Sequence, residues 1–72
     1  MKLKIDREAD ALYLTLDDEG AAASEEVSQG IVVDLSADGK IVGIEILGLS
    51  KRVTNLDTSK LVFESVPAGP AG

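Results

Sequence analysis

Gly30-Ile31-Val32-Val33-Asp34-Leu35-Ser36-Ala37-Asp38-Gly39-Lys40-Ile41-Val42-Gly43-Ile44-Glu45-Ile46-Leu47 decides how the chain folds. Two runs rich in β-branched residues, 30–35 and 41–47, flank a five-residue polar break. Asp-Gly inside such a break signals a hairpin, because Gly39 supplies the positive φ that a tight turn needs. Gly43 within its run points to a bulge or to close approach by another backbone.

Outward toward the N-terminus, Lys2-Leu3-Lys4-Ile5-Asp6 and Ala11-Leu12-Tyr13-Leu14-Thr15-Leu16 alternate apolar with polar residues at the period of a half-buried strand. Asp6-Arg7-Glu8-Ala9-Asp10 between them reads as a turn, since Asp side chains bond nearby backbone amides. These segments predict a second hairpin. Residues 17–28 read as an acidic, solvated loop, with only 26–28 extended as a strand edge. After Gly48, Leu49, Val53 and Leu56 fall at i, i+4 and i+7, the spacing of one or two helical turns. Residues 60–66 read as a last strand, with Leu61 and Phe63 on one face.

The predicted fold is thus mainly β, or α+β if the C-terminal turn is helical. It is an antiparallel four-stranded meander of two hairpins with a short C-terminal helical turn. Residues 1–66 form one small β-rich domain, and 67–72, Pro-Ala-Gly-Pro-Ala-Gly, form a disordered tail. One sheet face collects Leu3, Ile5, Leu12, Leu14, Leu16, Ile31, Val33, Leu35, Val42, Ile44 and Ile46. The other retains Tyr13, Val32, Ile41 and Leu47, more apolar surface than a solvated face normally carries. Either the chain's own Leu49, Val53, Leu61 and Phe63 cover it, or a second copy does. Tyr13, Val32, Ile41, Leu47, Leu61 and Phe63 are the candidate oligomer interface, and a homodimer is the expected assembly.

Composition removes whole classes of chemistry. The 72 residues hold no Cys and no His, so thiolate zinc sites, cysteine nucleophiles and histidine general bases are excluded. Asp+Glu 13 against Lys+Arg 7 gives a net charge of -6, opposite to what a phosphate backbone attracts. One Tyr, one Phe and no Trp leave little for base stacking. Neither a membrane-spanning apolar stretch nor a signal-peptide block is evident, so no nucleic acid or membrane partner and a cytoplasmic location are expected.

Asp34-x-Ser36-x-Asp38-Gly39 followed by Glu45 matches the spacing of a calcium-binding EF-hand loop. The flanks are β-like, however, and an extended 41–47 carries Glu45 away from Asp38, so the hairpin reading is preferred. The carboxylate groups Asp6/Glu8/Asp10 and Asp17/Asp18/Glu19 read as turn and loop residues, because catalysis by paired carboxyls needs a cleft. Lys51-Arg52 reads as a solvated helical turn, with an anchor for a partner's carboxylate as the functional alternative. No catalytic, cofactor-binding or metal-binding residue is assigned.

Asp6-Arg7-Glu8-Ala9-Asp10-Ala11-Leu12-Tyr13-Leu14, Glu26-Val27-Ser28-Gln29-Gly30-Ile31-Val32-Val33-Asp34 and Asp38-Gly39-Lys40-Ile41-Val42-Gly43-Ile44-Glu45-Ile46-Leu47 together resemble a small prokaryotic family, domain of unknown function 2283. The resemblance spans about residues 2 to 53, with Val42-Gly43-Ile44-Glu45 its most specific part. Members often look aromatic before the first Asp, where this chain has Ile5. The family brings no catalytic residues. It implies a small cytoplasmic companion protein, with an antitoxin-like acidic partner of a small basic toxin as one such role. The leading expectation is a non-enzymatic, oligomeric protein-interaction module; a carboxylate-based enzyme or ligand binder at a subunit interface is the remaining alternative.

Overall fold

The computed structural model describes residues 1–70. Five antiparallel strands form one sheet: β1 (Lys2–Asp6), β2 (Ala11–Thr15), β3 (Ala23–Ser28), β4 (Ile31–Leu35) and β5 (Ile41–Leu47), followed by the single helical turn α1 (Leu49–Arg52). The two hairpins expected from sequence, β1–β2 and β4–β5, are both present.

The β4–β5 turn is built as its Asp-Gly implies. Gly39 N–H donates to the Ser36 carbonyl at 3.0 Å and Gly39 adopts φ 83°. The buried Ser36 accepts Lys40 N–H on its Oγ at 3.1 Å and donates that hydroxyl to Asp38. At β1–β2, Asp6 Oδ1 accepts Ala9 N–H at 3.0 Å.

The number of strands is corrected first. Four strands become five, because residues 23–28 pair along the whole length of β4 instead of forming a loop with an extended end. All six residues of β3 are exposed, so no buried face imprints an alternating pattern on its sequence. A two-residue turn, Gln29-Gly30, closes the β3–β4 hairpin with Gly30 at φ 75°.

The order is also not a meander. Strands run β1-β2-β5-β4-β3, so β2 neighbours β5 rather than the strand that follows it. Strands β2 to β5 thus follow the Greek-key order, which the long connection after Thr15 permits by crossing the sheet end. Val42 anchors the crossing: its carbonyl accepts both Leu16 N–H at 2.8 Å and Asp17 N–H at 3.3 Å. A register shift there pairs Leu35 with Ile41 and Asp34 with Gly43, leaving Val42 as the extra residue of a bulge.

The C-terminal segment departs from expectation as well. Residues 60–66 form no strand and are exposed. Their composition suits a strand, but strand structure requires a ladder partner, and the outer edges of β1 and β3 remain unpaired. The helix is limited to one turn, because Val53 is extended at φ -123°, ψ 124°. Of the tail expected over 67–72, residues 67–70 carry no regular structure and the last two lie outside the described residues.

Buried apolar side chains are few: Ala11, Val42 and Leu49. No large side chain among the described residues is fully buried. The sheet is a single layer.

Gly30→Ala is expected to cost about 1–2 kcal/mol, because a Cβ at positive φ meets the following carbonyl and would also strike the Arg52 guanidinium. Gly20→Ala, with nothing within 4 Å of its added Cβ, is expected to change stability little. Urea midpoints at one fixed protein concentration compare the two; equal midpoints would contradict the assignment.

Candidate functional site

Register sorts the side chains onto two faces of different chemistry. Leu3 opposes Leu14, Ile5 opposes Leu12, Leu14 opposes Ile44 and Ile44 opposes Val33. Leu12 opposes Ile46, which opposes Ile31. One face therefore carries these eight aliphatic residues, with Glu25 of the edge strand opposite Val33 as its one charged residue in these pairings. The other face carries the rows Lys4–Tyr13–Glu45–Val32–Glu26 and Lys2–Thr15–Gly43–Asp34–Ser24.

The centre of the polar face holds a carboxyl pair. Asp34 lies across from Gly43, where an added Cβ would stand 3.2 Å from Asp34 Oδ2 and 3.4 Å from the Leu14 carbonyl; glycine leaves the room that the carboxylate occupies. Ser24 Oγ donates to Asp34 Oδ1 at 2.6 Å. Glu45 sits diagonally from Asp34, and partial burial, then the Asp34 charge and a hydrogen bond with it, hold the Glu45 carboxyl above its ordinary pKa. Lys4 Nζ stands 5.8 Å from the centre of the Tyr13 ring, within cation–π range. Chemically the pair can retain a proton that a lone surface glutamate would lose. It lies on an open sheet face, whereas acid–base catalysis requires a substrate held in a cleft.

A second cluster fixes α1. Asp10, at φ 53°, reaches 40 residues along the chain: its Oδ1 accepts Ser50 N–H at 2.9 Å, its Oδ2 accepts Ser50 Oγ at 2.7 Å, and its carbonyl accepts Leu49 N–H at 2.9 Å. This supplies from β2's approach the cap that Gly48 has no side chain to provide. The Ser50 hydroxyl and amide, with the Lys51 charge, keep the Asp10 carboxyl below its ordinary pKa. Arg52 Nε donates to the Leu47 carbonyl at 2.9 Å and Nη2 donates to the Gln29 carbonyl. The guanidinium thereby ties α1 to the end of β5 and to the β3–β4 turn. It borders an open hollow of about 500 Å³ lined by Ser28, Gln29, Gly30, Leu47, Gly48, Lys51 and Arg52. Arg52 is thus engaged with the chain's own backbone, a role its sequence position beside Lys51 does not reveal.

The six residues singled out from sequence do not share one patch. Tyr13, Val32 and Leu47 lie on the polar face, where Leu47 is 39% exposed. Ile41 stands at the bulge opposite Leu35, 50% exposed. Leu61 and Phe63 line an open, mainly apolar hollow of about 400 Å³ with Met1, Leu3 and Leu14, and so belong to the aliphatic face. The EF-hand-like spacing is spread along a hairpin: Asp38 bonds to Ser36 in the turn, while Glu45 opposes Val32. Sequence reasoning missed Asp34 with Ser24, whose pairing depends on the β3–β4 register, and Asp10 with Ser50. Among the described residues no group of three metal-ligating side chains converges, and no helix is long and apolar enough to cross a membrane.

The chain matches the model of a family described as protein of unknown function (DUF2283) over residues 2–50. That span takes in all five strands and stops within α1. No curated protein and no solved structure matches.

Two pH effects of opposite sign follow from these carboxyls. Asp10, with its lowered pKa, contributes stability that is complete above the ordinary carboxylate range and lost as pH falls through it. Glu45, with its raised pKa, contributes stability that is complete below the ordinary glutamate value and lost as pH rises through the raised one. Glu45→Gln should therefore raise the urea midpoint at neutral pH and leave it unchanged near about pH 3.5. Asp10→Ala should lower the midpoint at neutral pH, with a difference that shrinks in acid. A Glu45→Gln midpoint below wild type at neutral pH would refute the first assignment.

Proposed function

The chain belongs to the DUF2283 family, and we propose that it acts as a non-enzymatic, self-associating protein-interaction module. One observation carries this reading: among the described residues a five-stranded sheet stands as a single layer, with both faces partly apolar. Stable domains bury a sheet face against another sheet or against helices. Among the described residues the only helix has four residues.

Surface area gives the size of the deficit. A compact monomer of this mass exposes about 4,250 Å², whereas this chain exposes 5730 Å². Its radius of gyration is 14.6 Å, against about 11 Å for a compact chain of this length. The excess area, roughly 1,500 Å², includes the exposed segment after Arg52 as well as the sheet, and it is larger than the ~800 Å² that each partner contributes to an ordinary stable interface. Conformational entropy makes the same demand, since a small single-layer chain gains too little burial to offset the cost of ordering each residue.

The non-enzymatic part of the reading is supported by the site itself. Asp34 and Glu45 lie on an open face, Asp10 is engaged as a helix cap, and Arg52 is bound to backbone carbonyls.

Native mass spectrometry of the purified chain at micromolar concentration tests the proposal. A multiple of 7.5 kDa is the expected result; the single-chain mass would reject self-association. The same measurement on protein captured from its host separates the alternatives: a stoichiometric small basic chain would favour an acidic antitoxin-like partner, and a small-molecule adduct would favour ligand binding.

A further inference from the structure

Granting self-association, the structure leaves open which surface mediates it. We infer that two copies stack through the face bearing Leu12, Leu14, Val33, Ile44 and Ile46, forming a two-layer β-sandwich with the Leu61 and Phe63 segments at its rim.

Charge distinguishes the two faces. Stacking the polar face on its own copy would gather Asp34 and Glu45 from both chains into a dehydrated layer. Four carboxyls would converge there, with a single lysine-bearing strand per copy at the margin. Like charges in low dielectric oppose such a contact strongly. The aliphatic face carries no charge at its centre, and Glu25 lies on edge strand β3, where it can stay in water. A two-fold contact between identical aliphatic patches is self-complementary and leaves no buried ion unpaired.

Dimensions set the size of the contact. Five strands at about 4.8 Å spacing and five residues at about 3.3 Å rise give a flat footprint of roughly 24 by 17 Å, about half of the ~800 Å² that each partner contributes to an ordinary interface, so apolar surface at the rim must join it. The C-terminal segment lies beside Met1, Leu3 and Leu14, where the hollow stays open and Leu61 and Phe63 remain 65% and 79% exposed. These side chains enlarge the apolar surface at the margin of the sheet, which a second layer would bury. The sheet edges are poorer contacts: β3 is acidic and bulged after Glu26, and β1 carries Lys2 and Lys4.

The adjacent valines of β4 provide the test, since they point to opposite faces. Val33→Lys is expected to weaken self-association at least about a hundredfold, shifting the native mass to a single chain. Val32→Lys is expected to leave the assembly mass unchanged. The reverse outcome would overturn the assignment of the face while leaving self-association standing. A wild-type monomer would instead remove the proposal beneath it.

Because Val33→Lys could unfold a chain that depends on its partner, the wild type supplies an independent reading. With a soluble gadolinium chelate, the methyl groups of Leu14, Val33 and Ile44 should relax slowly and those of Val32 and Leu47 fast. Fast relaxation at Val33 and Ile44 would overturn the inference whatever the variants do. Masses that climb beyond two copies in a ladder would point to edge-to-edge pairing and would also overturn it.

Discussion

A β-sheet has two faces, and water must be excluded from at least one of them for the sheet to be worth its entropy. This chain meets that condition incompletely. Among the described residues, one helical turn and a segment without regular structure follow the five strands, and the segment lies beside Met1, Leu3 and Leu14. The other features acquire their meaning from that shortage. Leu49 becomes one of three buried apolar residues, and Leu12, Leu14, Val33, Ile44 and Ile46 of the aliphatic face are only partly buried.

The elements present are held by a few long-range polar contacts in place of a deep core. Asp10 binds Ser50 across the fold and Arg52 closes on the carbonyls of Gln29 and Leu47. Both pins bring α1 against the sheet end, so that four residues remain helical although an isolated turn of that length would not. On the opposite face, Gly43 and Ser24 accommodate Asp34, and Asp34 in turn perturbs Glu45. The result is a sheet with one face suited to burial and one suited to water, a division that a two-layer assembly requires.

Legibility followed burial and local chemistry. The β4–β5 hairpin was readable because Asp38-Gly39 encodes its turn and both flanks are β-branched. The aliphatic set was readable because Leu12, Leu14, Ile44 and Ile46 alternate strictly. The first half of β3 reads as loop, with only 26–28 extended, because an edge strand with every residue exposed has no periodicity to display. Residues 60–66 were mistaken for a strand for the converse reason: Leu61, Val62 and Phe63 have the composition but no ladder. Leu61 and Phe63 were grouped with Tyr13 and Val32, yet the path of the chain past the β1–β2 corner sends them to the other face.

By itself the sequence determined the antiparallel β class, the β1–β2 and β4–β5 hairpins, the alternating faces and the absence of histidine and cysteine chemistry. These depend on residues a few positions apart, or on composition, and short-range sterics and hydrophobic period suffice. Only the tertiary structure decided that β2 lies beside β5, that Asp34 meets Ser24 and Glu45, and that Asp10 and Arg52 fasten α1. Each of those contacts depends on register between strands or on partners as much as 40 residues apart. Many sequence-distant pairings share the same local propensities, and the difference between them is set by how the assembled faces bury apolar surface and separate charge.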